Sequence, residues 1–332
     1  MKLAIKELEL GGDPEKLAVQ QKVIAQVLAN PQAVIDQYVS HERTFQGRYI
    51  CSDMFKEMFE DFNASPWHRN KFNNAVHNTA ATLAAEHFRQ MVEKPTIGQP
   101  DVMFVTGIPG AGKTSTVVSN NEIDSKLKFI YEGQLANSKH PATLNKFQQC
   151  LDAGLTVNVL VVHPKPEDAL ENTFRRFNDP NDGRGASIQT MAKIQGNTFE
   201  GLKHIYDNFG DDVNLYIIDF TRGRDQNNSN SYGGWEYLDV LKSQGNEQQI
   251  LERLEQHLIL GYQRGVISHE CFEQAAGGRI KANELQVKYN DANVHQQRSN
   301  DTRSDEQGRN LSPASSNTSD NITSKVTSKF KP

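Results

Sequence analysis

The chain has 332 residues, enough for one large α/β domain with appendages, and its net charge of −5 at pH 7 gives no overall attraction to nucleic acid or anionic lipid. Its three cysteines, at positions 51, 150 and 271, show no metal-ligand spacing, so neither a disulfide framework nor a zinc site is predicted. Charges in the first nine residues and the lack of about 18 consecutive apolar residues argue against a signal peptide and a membrane span. We expect a cytoplasmic protein with small-molecule or protein partners, no membrane partner, and nucleic acid disfavoured.

The first predicted elements are two helices. Apolar residues recur at helical spacing over residues 14–42, and Pro31 follows Asn30 where a second helix would begin. This pattern predicts a helical hairpin, with residues 1–45 as the first domain. A short strand over 48–52 follows, and then helical sequence over 53–92 that is broken near Pro66.

The next part of the chain alternates between strands and helices. The alternation predicts an α/β fold of the P-loop type over residues 46–232, with a mostly parallel sheet covered by helices on both faces. Ligands of such sheets bind beyond the carboxyl ends of the strands, so the residues that follow each strand are candidates for function. The predicted strands are 102–106, 127–131, 156–162 and 213–218.

The end of the chain changes character twice. Residues 233–278 again carry apolar positions at helical spacing and are predicted to form a C-terminal helical appendage. Residues 279–332 are rich in Asn, Ser, Asp, Gln and Lys, with few large apolar groups to offset the entropy of ordering them. We therefore predict a disordered polar tail there.

The most specific motif is Gly-Ile-Pro-Gly-Ala-Gly-Lys-Thr, which matches G-x-x-x-x-G-K-[ST] and follows a predicted strand. Its glycines let backbone N–H groups turn toward phosphates, Lys113 supplies a mobile charge, and the Thr114 hydroxyl can ligate magnesium. The sequence has no Asn-Lys-x-Asp motif of the kind that recognises guanine, so ATP is the predicted nucleotide. Mg²⁺ is the predicted metal ion. The predicted nucleotide-binding residues are Gly107, Ile108, Pro109, Gly110, Ala111, Gly112, Lys113, Thr114 and Ser115.

Two further segments carry candidate side chains. Glu132 follows a predicted strand and is placed to hold a substrate hydroxyl or a magnesium-bound water, although a solvated strand-end acid is the alternative. A predicted helix over 166–177 ends in Arg175 and Arg176, and a polar, glycine-rich loop with Arg184 follows. Such a loop is typical of a lid whose guanidinium groups stabilise a transferring phosphoryl group. The alternative for the helix-end pair is that they complement the helix dipole.

Together, the 107–114 motif, Tyr-Glu-Gly at 131–133 and the arginine pair followed by Gly-Arg-Gly at 183–185 resemble the zeta-toxin family of P-loop kinases. The resemblance extends over roughly residues 100–222. It implies an ATP-dependent kinase that phosphorylates a hydroxyl group of a small molecule, since the best-known members act on UDP-N-acetylglucosamine. A toxin role would further imply a protein antitoxin as a partner.

The resemblance also implies roles for individual residues. Lys113 and Thr114 would hold the phosphates and the metal ion, and Glu132 would contact the acceptor. The transferring group would be stabilised by arginines, namely Arg184 with either Arg175 or Arg176.

One element of the family is missing from its usual place. Between the phosphate loop and the Glu-Gly strand the family has a strand that ends in the catalytic aspartate, and then a substrate-binding helix, but here only 17 residues (115–131) lie between them. Residues 49–59, before the loop, resemble the missing element. A permuted arrangement would make Asp53 the base, with Lys56 and His77 as substrate-binding residues. The alternatives are a helix N-cap for Asp53 and an ordinary helix-face position for His77.

A second class of function remains open from the sequence. The short stretch after the phosphate loop is also what a protein without a catalytic base would have. Such a protein would be an ATP-binding switch or interaction module with little or no phosphotransfer. The two interpretations differ on whether Asp53 lies in the cleft near Lys113.

Overall fold

A six-stranded sheet lies at the centre of the fold, and only one edge strand is antiparallel. The strands of the protein are β1 (Tyr49–Cys51), β2 (Asp101–Thr106), β3 (Val118–Ser119), β4 (Glu122–Ile123), β5 (Leu127–Glu132), β6 (Thr156–Pro164), β7 (Val213–Phe220) and β8 (Asn230–Gly233). The sheet has the order β1-β5-β2-β6-β7-β8, with β8 antiparallel to β7, while β3 and β4 form a separate small hairpin. The predicted α/β class with a mostly parallel sheet is confirmed.

The structure is a computed structural model that describes residues 3–95, 98, 100–119, 122–180, 182–224 and 229–290. Residues up to Leu285 form one compact unit, and a second unit begins at Gln286. The predicted segments 1–45 and 233–278 therefore belong to the same unit as the sheet.

Helices surround the sheet. Pro31 begins the second helix, as predicted, and the helical sequence after β1 is broken before Pro66. The α-helices with both ends among the described residues are α1 (Pro14–Ala29), α2 (Pro31–Ser40), α3 (Ser52–Lys56), α4 (Glu60–Asn63), α5 (Pro66–Glu93), α6 (Lys113–Val117), α7 (Pro141–Asp152), α8 (Pro166–Asn178), α9 (Ile188–Phe209), α10 (Glu247–Gln263) and α11 (His269–Ala276). Among the described residues, none of the helices has the length and apolar character needed to cross a membrane.

Aromatic side chains join the sheet to the helices on its faces. Phe88 of α5 packs against Phe104 and Phe129, with ring centroids 5.9 and 5.4 Å apart. Phe147 of α7 stacks on Phe104 at 4.2 Å. These strands are buried on both faces, as expected of a parallel sheet, and this packing fixes their carboxyl ends relative to the helices.

The edge strand β1 comes from the segment before the phosphate loop. It pairs with β5 in parallel, with Cys51 opposite Glu132, and Glu132 is in turn opposite Val105 of β2. The Tyr38 hydroxyl of α2 protects the open edge, because it donates to the Tyr49 carbonyl oxygen (2.6 Å) and accepts from the Cys51 N–H (3.0 Å). The ends of β1, β5 and β2 are therefore level at one edge of the sheet.

The C-terminal part differs from the sequence prediction in two ways. Strand β8 was not predicted, because Asn-Ser-Tyr-Gly has no alternation of apolar and polar residues. The predicted tail is wrong for residues 279–290, which are helical. Ala282 and Leu285, three residues apart on one helix face, are buried and give that segment a packed side. The rest of the predicted tail, 291–332, lies outside the described residues.

Candidate functional site

The phosphate-loop motif follows β2 directly and turns at glycines that no other residue can replace without strain. Gly107 has φ 149°, and a Cβ atom there would lie 2.6 Å from the Val162 carbonyl oxygen. Gly110 has φ 77°, and its Cβ would overlap the Ala169 carbonyl oxygen of α8. The loop therefore fits closely between β6 and α8. The helix after it, α6, is five residues long and is followed by β3 at Val118.

The side chain of Lys113 binds the backbone of the phosphate loop that contains it. Its Nζ atom donates to the carbonyl oxygens of Gly107 and Ile108, at 3.1 Å each, and lies 3.4 Å from Oε1 of Glu132. Ser115 is exposed, and its hydroxyl donates to the Gly112 carbonyl oxygen at 2.8 Å. The lysine and the strand-end glutamate thus meet at the loop, as the sequence predicted for two residues of one site.

Tyr49 of β1 joins the edge strand to the phosphate loop. Its hydroxyl donates to Oε2 of Glu132 and lies 3.1 Å from Oγ1 of Thr114. Burial raises the pKa of Tyr49 well above its usual value, so the phenol stays protonated and remains a donor. The Thr114 hydroxyl and the loop backbone are suitable ligands for magnesium and for phosphate, respectively.

Asp53 lies in the first turn of α3, just beyond β1. Its Oδ1 atom is 2.7 Å from Nζ of Lys56, and its Oδ2 atom is 4.0 Å from Nη1 of Arg184. The side chain is 49% exposed. Desolvation raises the pKa of Asp53, but the charges of Lys56 and Arg184 outweigh it and hold the pKa well below its usual range. The residue at the N-cap of α3 is Cys51, with no side-chain cap bond, so the N-cap alternative for Asp53 is wrong.

Asp182 binds two of the predicted arginines at once. Its Oδ2 accepts from Nε of Arg176 at 2.7 Å, and its Oδ1 accepts from Nε of Arg184 at 2.6 Å. Burial raises the pKa of Asp182, but the two arginines more than offset this and lower it overall. Arg184 also lies 3.6 Å from Glu57, which Arg43 binds at 3.2 Å from the other side. Arg184 is thus held within a ring of carboxylates.

The loop between α8 and α9 is docked on α5. The Nδ2 atom of Asn70 donates to the Gly183 carbonyl oxygen, and its Oδ1 accepts from the Gly185 N–H at 3.4 Å. A Cβ on Gly183 would overlap Pro66. The sequence predicted a lid that closes, whereas the described residues of this loop are already held against the helix that precedes the phosphate loop.

The remaining predicted residues divide into two groups. Lys56 is buried and donates to Oδ1 of Asn73 at 2.7 Å, so it belongs to the Asp53 cluster. His77 is exposed on α5, and partial desolvation and then the Lys56 charge lower its pKa. Arg175 is exposed and has no hydrogen bond or ion pair within the described residues, so Arg176 is the arginine that faces the cluster.

Two side chains outside the motif donate hydrogen bonds to the backbone of the phosphate loop. Nδ2 of Asn172, on α8, donates to the Gly110 carbonyl oxygen at 2.8 Å. Nη2 of Arg224, after β7, donates to the Ala111 carbonyl oxygen at 2.7 Å. The sequence did not indicate either residue, because their partners lie far away along the chain. The other site residues that were missed are Tyr49, Glu57 and Asp182.

A separate groove lies elsewhere in the fold. It has a volume of about 880 Å³ and lies between α9, the first half of β7 and the segment after β8. Its lining is aromatic and acidic, with Tyr206 and Trp235 in contact at 5.1 Å between ring centroids. We place the candidate site at the phosphate loop, because charged groups of both signs converge there at the carboxyl ends of the strands.

The geometry defines a P-loop-like α/β protein with a cluster of charged side chains at one edge of the sheet. No protein-family model matches the chain, and no curated protein sequence matches it. The resemblance to the zeta-toxin family therefore stays a prediction that depends on the residues quoted above.

Proposed function

We propose that this chain is an ATP-dependent small-molecule kinase of zeta-toxin type, which transfers the γ-phosphoryl group to a hydroxyl group. A nucleotide sugar such as UDP-N-acetylglucosamine is the first acceptor to test. The main support is the position of β1 beside β5, which brings Asp53 to the same sheet edge as Glu132 and Lys113. A permuted kinase needs this arrangement, because its base-bearing strand must lie in the sheet although it precedes the phosphate loop.

The residues supply the functions that phosphoryl transfer needs. Lys113 and the loop N–H groups would bind the phosphates, and the Thr114 hydroxyl would ligate magnesium, which neutralises phosphate charge. Asp53, which is ionised at neutral pH, would accept the acceptor's proton while the new O–P bond forms and the bond to ADP breaks. Arg184 would stabilise the charge on the transferring group.

One observation favours the alternative, an ATP-binding switch with little transfer. The Asp53 carboxylate is bound to Lys56 at 2.7 Å, and a carboxylate that is paired in this way is a weaker base. The Asp53 side chain is 49% exposed, and its second oxygen has only a longer contact, 4.0 Å to Nη1 of Arg184, which supports the kinase over the switch.

The experiment is transfer from γ-labelled ATP with magnesium to a panel of nucleotide sugars, dinucleotides and a metabolite extract. It compares the wild type with Lys113→Ala, Asp53→Asn and the control Asp239→Asn, which changes a carboxylate that is 81% exposed. We expect a labelled small molecule from wild type and control, with a loss of about 100-fold or more in the other two. Full turnover by Asp53→Asn would refute the permuted arrangement. Tight ATP binding without any product would favour the switch.

A further inference from the structure

The backbone of the phosphate loop is bound by two side chains that lie outside the motif. Asn172 donates to the Gly110 carbonyl oxygen at 2.8 Å. Arg224 donates from Nη2 to the carbonyl oxygens of Ala111, at 2.7 Å, and Gly110, at 3.4 Å. Two consecutive peptide units of the loop therefore accept hydrogen bonds from elements that are remote in sequence.

A carbonyl group and the N–H group of the next residue belong to one planar peptide unit. The unit that contains the Gly110 carbonyl includes the Ala111 N–H, which closes a turn onto the Ile108 carbonyl oxygen at 3.1 Å. The unit that contains the Ala111 carbonyl includes the Gly112 N–H. A hydrogen bond to a carbonyl oxygen fixes the direction of its unit and strengthens the N–H group as a donor. Asn172 thus supports the turn, and Arg224 orients the Gly112 N–H.

The position of Arg224 fits this role closely. A Cβ on Gly112 would collide with the Arg224 guanidinium, so the arginine occupies space that only glycine leaves free. The other side of Arg224 is supported by the Phe220 ring, whose centroid lies 4.9 Å from Cζ. The side chain is exposed and adds little to the core, so its contacts serve the loop itself.

We propose that Asn172 and Arg224 are positioning residues, which hold the peptide units of the phosphate loop in the orientation that binds the polyphosphate of a nucleotide. This inference rests on the proposed function, because it takes the loop to be a nucleotide site. It adds two residues to that site, Asn172 on α8 and Arg224 in the segment after β7, which sequence motifs do not reveal.

The test measures two quantities for Asn172→Ala, Arg224→Met and Arg224→Lys. These are the affinity for ATP with magnesium, by titration calorimetry, and the melting temperature without nucleotide. Arg222→Met is the matched control, because Arg222 is an exposed arginine two residues away with no bond to the loop among the described residues. We expect ATP affinity to fall about tenfold in Asn172→Ala and Arg224→Met, with part of it restored in Arg224→Lys, which keeps the charge and a donor.

The outcomes separate this inference from the proposed function. Wild-type ATP affinity in Asn172→Ala and Arg224→Met would overturn the positioning role and leave the kinase proposal standing. A large fall in melting temperature with no recovery in Arg224→Lys would also overturn it, since that is a purely structural effect. If wild type binds ATP but transfers no phosphoryl group, the kinase proposal fails while the positioning role is judged by the affinities. A wild type that binds no ATP would overturn both.

Discussion

The phosphate loop and the arginine loop between α8 and α9 lie at the same edge of the sheet but are built differently. The phosphate loop is eight consecutive residues whose backbone groups would bind the proposed nucleotide, so its motif can be read from the sequence. The arginine loop is held by its own Asp182, which binds Arg184, and by side chains from two distant segments, through Asp53 and Asn70. A site formed by backbone groups depends on the space around the loop and on its turn geometry, whereas a site formed by side chains depends on pairs of opposite charges.

The two regions are physically connected by α8. Asn172 on that helix binds the phosphate loop, and Arg176, one turn further on, binds Asp182, which in turn binds Arg184. A substitution in either region is therefore expected to affect the other region as well. The size of that effect measures how far the two regions act as one site. The following variants test this difference in construction.

Gly110→Ala should have the largest effect, because it forces a side chain into the contact between the phosphate loop and α8. We expect a loss of about 3 kcal/mol in the free energy of unfolding, together with loss of ATP binding. Gly154→Ala is the matched control, since Gly154 has φ 70° but nothing within 4 Å of its Cβ position. The free energy of unfolding of this control should fall by only about 1 kcal/mol, because alanine disfavours the left-handed backbone conformation. Equal losses in urea unfolding would show that α8 does not constrain the loop.

Asp182→Asn should release Arg176 and Arg184 from their shared carboxylate. We expect kcat to fall about 100-fold, the scale for misplacing one group that stabilises transition-state charge, with a smaller change in ATP affinity. Asp207→Asn, which breaks an exposed pair with Lys203, serves as the control and should change kcat very little. Unchanged kcat in Asp182→Asn would show that the arginine loop is not part of the site.

His163 at the end of β6 gives a test of stability that is independent of both loops. Burial lowers its pKa to about 4, although Asp219 nearby raises it in part. The unfolded chain takes up this proton below about pH 6.5 and the folded chain only near pH 4, so the folded state loses stability as pH falls through that range. Between pH 7 and 5 the loss is about 2 kcal/mol.

His163→Gln removes this titration, so urea unfolding at the two pH values should show a loss smaller by that amount. The same pH dependence in the variant and the wild type would contradict the assignment to His163.

Tyr49→Phe should have the smallest effect, because it removes one hydroxyl that joins β1 to Thr114 and Glu132. A decrease of about fivefold in kcat/KM for ATP is expected, equivalent to one hydrogen bond of about 1 kcal/mol. Tyr237→Phe, at an exposed tyrosine, is the control. A loss of 100-fold or more would mean that β1 and the phosphate loop act as a single unit rather than as neighbours.

The sequence predicted the parts of this protein that depend on local patterns. The parallel strands are apolar runs, and the phosphate loop is a contiguous motif, so both are visible in one segment. Asp182 was missed because its loop is rich in Asn, Asp and Gly, and nothing local distinguishes one acid there from another. Tyr49 and Arg224 were missed because their partners lie 65 and 113 positions away, and only the folded sheet brings them together.

The order of strands in the sheet has a consequence for biosynthesis. Strand β1 pairs only with β5, and 83 positions separate Tyr49 from Glu132. Helices α1, α2 and α5 emerge from the ribosome before that partner is made, and their local contacts form quickly, whereas strand pairing over such a distance requires the closure of a long loop. Strand β1 and the Asp53 segment therefore have no strand partner until β5 is synthesised, although the neighbouring helices can already form. Because the site also includes Arg184, a nascent chain cannot assemble the complete site until more than half of the protein has been translated.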